Sequence, residues 1–220
     1  MVKNIKIAPS ILAANALKLG EDVKKVEDAG VEYLHIDIMD GHFVPNLSFS
    51  PDTVRALRGV SNLVFDVHLM ISEPRKYIKQ FAEAGADIIT IHQETVDDAR
   101  DMADFIHSFG VKAGISVKPG TDIEVVRDCI ERYDLVLIMT VEPGFGGQSY
   151  IEDMNDKILK ARRMIDELGL ATELEVDGGV TAQNIMQPVS NGANVIVAGS
   201  AIFKADDIEK TVSEMRSAAL

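Results

Sequence analysis

Short apolar runs rich in Val, Ile and Leu alternate along this chain with longer stretches whose apolar residues recur every three or four positions. The first period is that of a buried strand and the second that of an amphipathic helix. Strands are predicted at Ile5–Leu12, Tyr33–Met39, Leu63–Met70, Asp87–Ile91, Lys112–Val117, Leu135–Val141, Glu173–Val176 and Asn194–Ala198. Helices are predicted between them at Leu17–Ala29, Pro51–Leu57, Pro74–Ala84, Val96–Phe109, Thr121–Arg132, Glu152–Leu168, Ala182–Asn191 and Ile208–Ala219. Gly30 and Gly85 close the first and third of these, and prolines open the second and third. The repeat of strand then helix predicts the α/β class and a (β/α)₈ (TIM) barrel over residues 1–220, read as a single domain because no Pro/Ser/Gly-rich linker divides them. A doubly wound open sheet is disfavoured, since no Gly-x-Gly-x-x-Gly follows the first strand.

Composition narrows the partners. The net charge of −13, with no cluster of Lys and Arg, argues against nucleic acid and anionic membranes, both of which are held by basic groups. A single cysteine, Cys129, rules out an internal disulfide and fits a reducing compartment; its amphipathic surroundings favour a core position over a nucleophile. No signal-peptide pattern opens the chain, and no apolar run approaches the ~20 residues needed to span a bilayer. A cytoplasmic protein is expected.

In a barrel, function gathers at the C-terminal ends of the strands. His35 and Asp37 are two apart on an otherwise apolar strand, so they share one face, and burying both is costly unless something pairs with them. That pair alone fits an internal hydrogen bond or a divalent cation equally well. His68 near the end of the third strand and Asp177 after the seventh point to the same end, and two imidazoles with two carboxylates suit one divalent ion: Zn²⁺ first, or Fe²⁺, Mn²⁺ or Co²⁺. His42, in a loop, is read as solvated or touching substrate, and His92, at a strand end, as a rim residue. Glycine-rich turns follow strands six, seven and eight, and each alone is explained by chain geometry. Three on one rim predict a phosphate held by backbone N–H groups, which an acidic protein needs in place of basic side chains. Met39, Met70 and Met139 are read either as core filling or as an apolar border for a flat intermediate. A metal, two carboxylates and a phosphate site together suggest proton abstraction next to a carbonyl. With Asp37 and Asp177 on opposite faces of the reacting carbon, the outcome is inversion of a stereocentre.

Seven segments, Ala8-Pro-Ser-Ile-Leu12, His35-Ile-Asp-Ile-Met-Asp-Gly-His-Phe-Val-Pro-Asn46, Asp66-Val-His-Leu-Met70, Ala84-Gly-Ala-Asp-Ile-Ile-Thr-Ile-His92, Pro143-Gly-Phe-Gly-Gly-Gln148, Glu175-Val-Asp-Gly-Gly-Val180 and Val197-Ala-Gly-Ser200, resemble the ribulose-phosphate 3-epimerase family over nearly the whole chain. The resemblance implies a barrel of the ribulose-phosphate-binding type that interconverts D-ribulose 5-phosphate and D-xylulose 5-phosphate. It implies a metal on His35, Asp37, His68 and Asp177, with Asp37 and Asp177 as the acid-base pair. Substrate contacts are implied for Ser10, His68, Met39, Met70 and Met139, and a phosphate cradle for Gly144, Phe145, Gly146, Gly147, Gly178, Gly179, Gly199 and Ser200. A homo-oligomer is also expected. Glu142 and Lys118 stand where the family commonly has Asn, beside the predicted substrate mouth, so substrate preference is the point they touch. The alternatives are a D-allulose-6-phosphate 3-epimerase and a non-catalytic sugar-phosphate-binding barrel. A decarboxylase of the orotidine-phosphate type is set aside, because the nearest text to its Asp-x-Lys-x-x-Asp motif, Asp22 to Glu27, falls on a predicted helix.

Overall fold

A computed structural model describes residues 5–219. Eight strands, β1 (Lys6–Pro9), β2 (Tyr33–Met39), β3 (Val64–Met70), β4 (Ile88–His92), β5 (Lys112–Val117), β6 (Leu135–Met139), β7 (Glu173–Asp177) and β8 (Val195–Ala198), pair in parallel in the order β1-β8-β7-β6-β5-β4-β3-β2. The two end strands meet through a bridge between Ser10 and His35, which brings the sheet round into a barrel. Alternation along each strand divides the core. Ala8, Tyr33, Ile88, Leu135, Leu137, Val195 and Val197 form one cluster inside the barrel. Their neighbours Ile7, Leu34, Ile36, Ile89, Val136, Val176 and Ile196 belong to the larger cluster shared with the helices outside. At the N-terminal end of the strands, the Tyr33 hydroxyl donates to Glu173 at 2.6 Å and Lys6 pairs with the same carboxylate.

The helices are α1 (Leu19–Asp28), α2 (Pro51–Arg58), α3 (Ile78–Ala84), α4 (Ala99–His107), α5 (Met154–Glu167), α6 (Met186–Ser190), α7 (Ser200–Phe203) and α8 (Ile208–Ala218). Several predicted elements change; the helix predicted at Pro74–Ala84, for one, is a 3₁₀ turn at Pro74–Lys76 followed by α3. The first strand is shorter than expected: its chain turns at Ser10, whose Oγ accepts from the Leu12 N–H and starts a 3₁₀ turn at Ile11–Ala13. The helix predicted at Thr121–Arg132 is two 3₁₀ pieces, Ile123–Val126 and Ile130–Arg132. Its apolar residues Ile123, Val126 and Ile130 are buried as the pattern requires, but adjacent β-branched residues disfavour the α form, and the i→i+3 bonds of a 3₁₀ turn serve the same face. Cys129 lies between these pieces, and burial pushes its thiol up to about 11, far from nucleophile behaviour. The helix predicted at Ala182–Asn191 contracts to α6, because Pro188 fits only within a first turn.

The segment after β5 is tied down by α5. Lys157 Nζ donates to the carbonyls of Lys118, Pro119 and Thr121 at 3.0, 2.7 and 2.7 Å. Lys157→Met leaves three part-buried acceptors without a charged donor and is expected to lower unfolding free energy by about 1–3 kcal/mol, read from urea titrations. An unchanged midpoint would mean that water replaces the ammonium without loss.

Candidate active site

Three strands each send two reactive side chains, two residues apart, to the barrel interior: His35 and Asp37 from β2, Asp66 and His68 from β3, Glu175 and Asp177 from β7. The parallel register sets His35 beside Asp66 and Asp37 beside His68. His35 Nε2 lies 3.3 Å from Asp37 Oδ1 and 4.0 Å from Asp177 Oδ2, and His68 Nδ1 lies 3.2 Å from Asp37 Oδ1. One donor atom from each of His35, Asp37, His68 and Asp177 falls within 4.8 Å of all the others. His35 Nε2 is buried and makes no hydrogen bond. An orphaned imidazole nitrogen facing two carboxylates, with a second imidazole alongside, is a donor set that fits a divalent cation. Behind it, His35 Nδ1 meets Asp66 Oδ2 at 2.6 Å, the carboxylate–histidine pairing that fixes the ring of a metal-binding imidazole.

The two candidate acid-base carboxyls differ in their surroundings. Burial alone would raise the Asp37 carboxyl, but the charges of His35 and His68 and the hydrogen bond with His68 outweigh it and hold it far below the usual carboxylate range. Ser10 Oγ also donates to Asp37 Oδ2 at 2.6 Å. Asp177 is pushed upward, first by burial and then by the negative charge of Asp37. Burial would depress His35, yet Asp37 and Asp66 raise it well above an ordinary imidazole. Glu175, fully buried with no hydrogen-bond partner on either oxygen, is raised well above a normal carboxyl by burial and by Asp66. The site thus sets a carboxylate held far below the usual range beside one raised to about 6, so the two differ in their hold on a proton.

These groups open into a cavity of about 750 Å³. Ser10, Asp37, Asp177, the three methionines and the turns at Gly144–Gly147, Gly178–Gly179 and Gly199–Ser200 all line it. His35 and His68 do not; both are fully buried behind that wall. Met39 and Met70 pack with Val44, Leu12 and Phe43. The turn after β6 is stapled by Gln148, whose amide donates to the carbonyls of Glu142 and Phe145, and by Asn46, which donates to the Gly144 carbonyl at 2.8 Å. Thr140 Oγ1 and the Asn184 amide hold the Gly178 and Gly179 carbonyls at 2.7 and 2.9 Å.

The glycines do not all make the same case. At Gly178 and Gly179, φ is +126° and +69°, and an added Cβ would stand 2.4 Å from Val141 Cγ2 and 2.3 Å from the Tyr150 nitrogen. Chain geometry alone therefore demands glycine at both. Gly146 has no such constraint: its φ is ordinary and open space surrounds its Cβ position.

Sequence reasoning missed several members of the site. Asp66 and Glu175 were open to the same two-residue rule that paired His35 with Asp37. Lys204, just after α7, contributes a basic side chain to a cavity whose phosphate site was read from sequence as held by backbone N–H groups without basic side chains. His92 is not a rim residue; it is fully buried against His68. His42 is exposed and bonds to Asp40. Glu142 lines the cavity, whereas Lys118 lies outside that lining, with its Nζ 3.7 Å from the centre of the Phe43 ring.

Residues 6–203 match the ribulose-phosphate 3 epimerase family. Ribulose-phosphate 3-epimerase from Bacillus subtilis (strain 168) is 47% identical over 213 residues, which cover 96% of this chain and 98% of that protein. The chloroplastic ribulose-5-phosphate-3-epimerase of Arabidopsis thaliana is 46% identical over 97% of this chain and 77% of its own length. Among solved structures, orotidine 5'-phosphate decarboxylase from Pyrococcus horikoshii OT3 superposes with a TM-score of 0.70 at 18% identity, covering 97% of this chain and 98% of that one, a likeness of fold alone. No helix among the described residues is long and apolar enough to cross a membrane. By the match over residues 6–203 and by relatives nearly half identical along almost its full length, the chain belongs to the ribulose-phosphate 3-epimerase family.

Proposed function

We propose that this chain interconverts D-ribulose 5-phosphate and D-xylulose 5-phosphate by moving the proton at C3, with a divalent metal held by His35, Asp37, His68 and Asp177. The observation that carries this reading is the four-atom donor cluster whose two carboxylates face a cavity that also holds the glycine turns. When bound, the cation supplies Lewis-acid polarisation of the ketone and its neighbouring hydroxyl. Zn²⁺ suits two imidazoles and two carboxylates best, ahead of Fe²⁺, Mn²⁺ and Co²⁺. Asp37, held ionised, takes the C3 proton from one face; the C–H electron pair passes into an enediolate, and Asp177 delivers its proton to C3 from the other face. The reverse reaction exchanges these roles. Ser10 orients Asp37, and the methionines border the planar intermediate without offering it a proton. The same reading has the chain working in the cytoplasm as a homo-oligomer; Leu17 and Leu47, 95% and 73% exposed, are the apolar side chains to probe there, and sedimentation at working concentration tests self-association.

Turnover of ribulose 5-phosphate and allulose 6-phosphate, compared on one preparation, tests the substrate assignment. The pentose phosphate should lead by about tenfold or more in kcat/KM, a difference of about 1.4 kcal/mol. A lead for the hexose phosphate would reassign the substrate while leaving the proton chemistry in place.

The open space at Gly146 gives the cleanest probe of the phosphate cradle. Gly146→Ala adds a methyl group without backbone strain or collision, so thermal stability should hold. If the anion sits against this turn, KM for ribulose 5-phosphate should rise by about tenfold, the effect of weakening one charge-assisted hydrogen bond. An unchanged KM would exclude Gly146 from the cradle.

A further inference from the structure

His68 carries a support that differs from that of His35. The Nε2 of His68 lies 2.9 Å from the Nε2 of His92, and the Nδ1 of His92 lies 3.3 Å from Glu94 Oε2. Both imidazoles are fully buried. Glu94 is anchored in turn: its Oε1 accepts from the Lys118 N–H at 2.8 Å and from the Thr121 hydroxyl. Phe43 covers the outer face of the His92 ring at a centroid distance of 4.6 Å, with Lys118 stacked over Phe43. His92 therefore has packing on its face and a polar partner at each nitrogen.

Two imidazole nitrogens at hydrogen-bond distance share one proton, so one donates and the other accepts. A cation on His68 Nδ1 uses that lone pair and leaves the His68 proton on Nε2. His68 Nε2–H then donates to the bare Nε2 of His92, which must carry its own proton on Nδ1, where it donates to Glu94. Each tautomer along the line is fixed by the one before it. We infer that His92 and Glu94 are positioning residues that hold His68 in its metal-binding tautomer and ring orientation, a relay of one imidazole and one carboxylate that does for His68 what Asp66 does directly for His35. This rests on the metal reading given above.

The first test is uptake of Zn²⁺ by chelator-treated protein, followed by competition with a chromophoric chelator, for the parent, His92→Gln and His92→Phe. The parent should bind about one equivalent. His92→Phe, which cannot accept the His68 proton, should weaken binding by about 10–100-fold. His92→Gln, whose amide oxygen still offers an acceptor, should recover most of that loss. The second test needs no variant: ¹⁵N spectra of histidine in the Zn²⁺-loaded parent should show His92 protonated at Nδ1 and bare at Nε2. Parental affinity in folded His92→Phe, or a His92 protonated at Nε2 in the loaded protein, would overturn the relay while leaving the metal site standing. A parent that takes up no Zn²⁺ would overturn the metal reading and the relay with it.

Discussion

Asp37→Asn and Asp177→Asn are each expected to lower epimerase turnover by about 10²–10⁴-fold, the range for loss of a positioned acid or base. The two carboxyls come from strands β2 and β7 and sit in opposite electrostatic settings, one held ionised by His35 and His68 and the other raised by burial and by Asp37. With one proton donor for each face, product formed in D₂O should carry solvent deuterium at C3 in both directions, while recovered substrate carries much less. Each Asn variant keeps one carboxyl. Provided it keeps its metal, it should still exchange the C3 proton of the epimer that this carboxyl faces, although it cannot complete inversion. If both variants, folded and metal-loaded, epimerised near the parent rate, the two-base account would have to be given up.

The second large effect is expected at the imidazoles. His35→Ala removes the nitrogen that has no protein partner, and His68→Ala removes the one beside Asp37. Each variant should lose most of its bound metal, by elemental analysis, and at least about 10²-fold in turnover, since loss of even an outer-shell partner costs 10–100-fold in affinity. The His35 change also leaves Asp66 without its 2.6 Å partner inside the barrel, so a drop in stability of about 3–5 kcal/mol is expected alongside it. Measured binding should be corrected to the folded fraction. Parental metal content in folded His68→Ala would take His68 out of the ligand set.

The strands were legible because a parallel barrel buries them on both faces and so writes them as short apolar runs. Helices failed where apolar spacing served another geometry: Ile123, Val126 and Ile130 sit at intervals that 3₁₀ turns bury equally well, and Pro188 shortened α6. In the site, the period-2 rule reached His35 and Asp37 and, taken further along β3 and β7, reaches Asp66 and Glu175 as well. The tertiary staples were out of reach. Asn46 meets the Gly144 carbonyl across 98 positions of sequence, and no local pattern marks an asparagine for that task. His92 was misread for a related reason, since a strand-end histidine looks the same in sequence whether it meets solvent or is packed between His68 and Phe43.

The central claim, that these four side chains hold the cation on which epimerisation depends, is tested most directly by assaying one sample three times with ribulose 5-phosphate: as isolated, after chelation to a metal-free state verified by elemental analysis, and after return of one equivalent of Zn²⁺, Fe²⁺, Mn²⁺ or Co²⁺. Turnover should fall to background on chelation and return with at least one of these ions. Full turnover in the verified metal-free protein would contradict it.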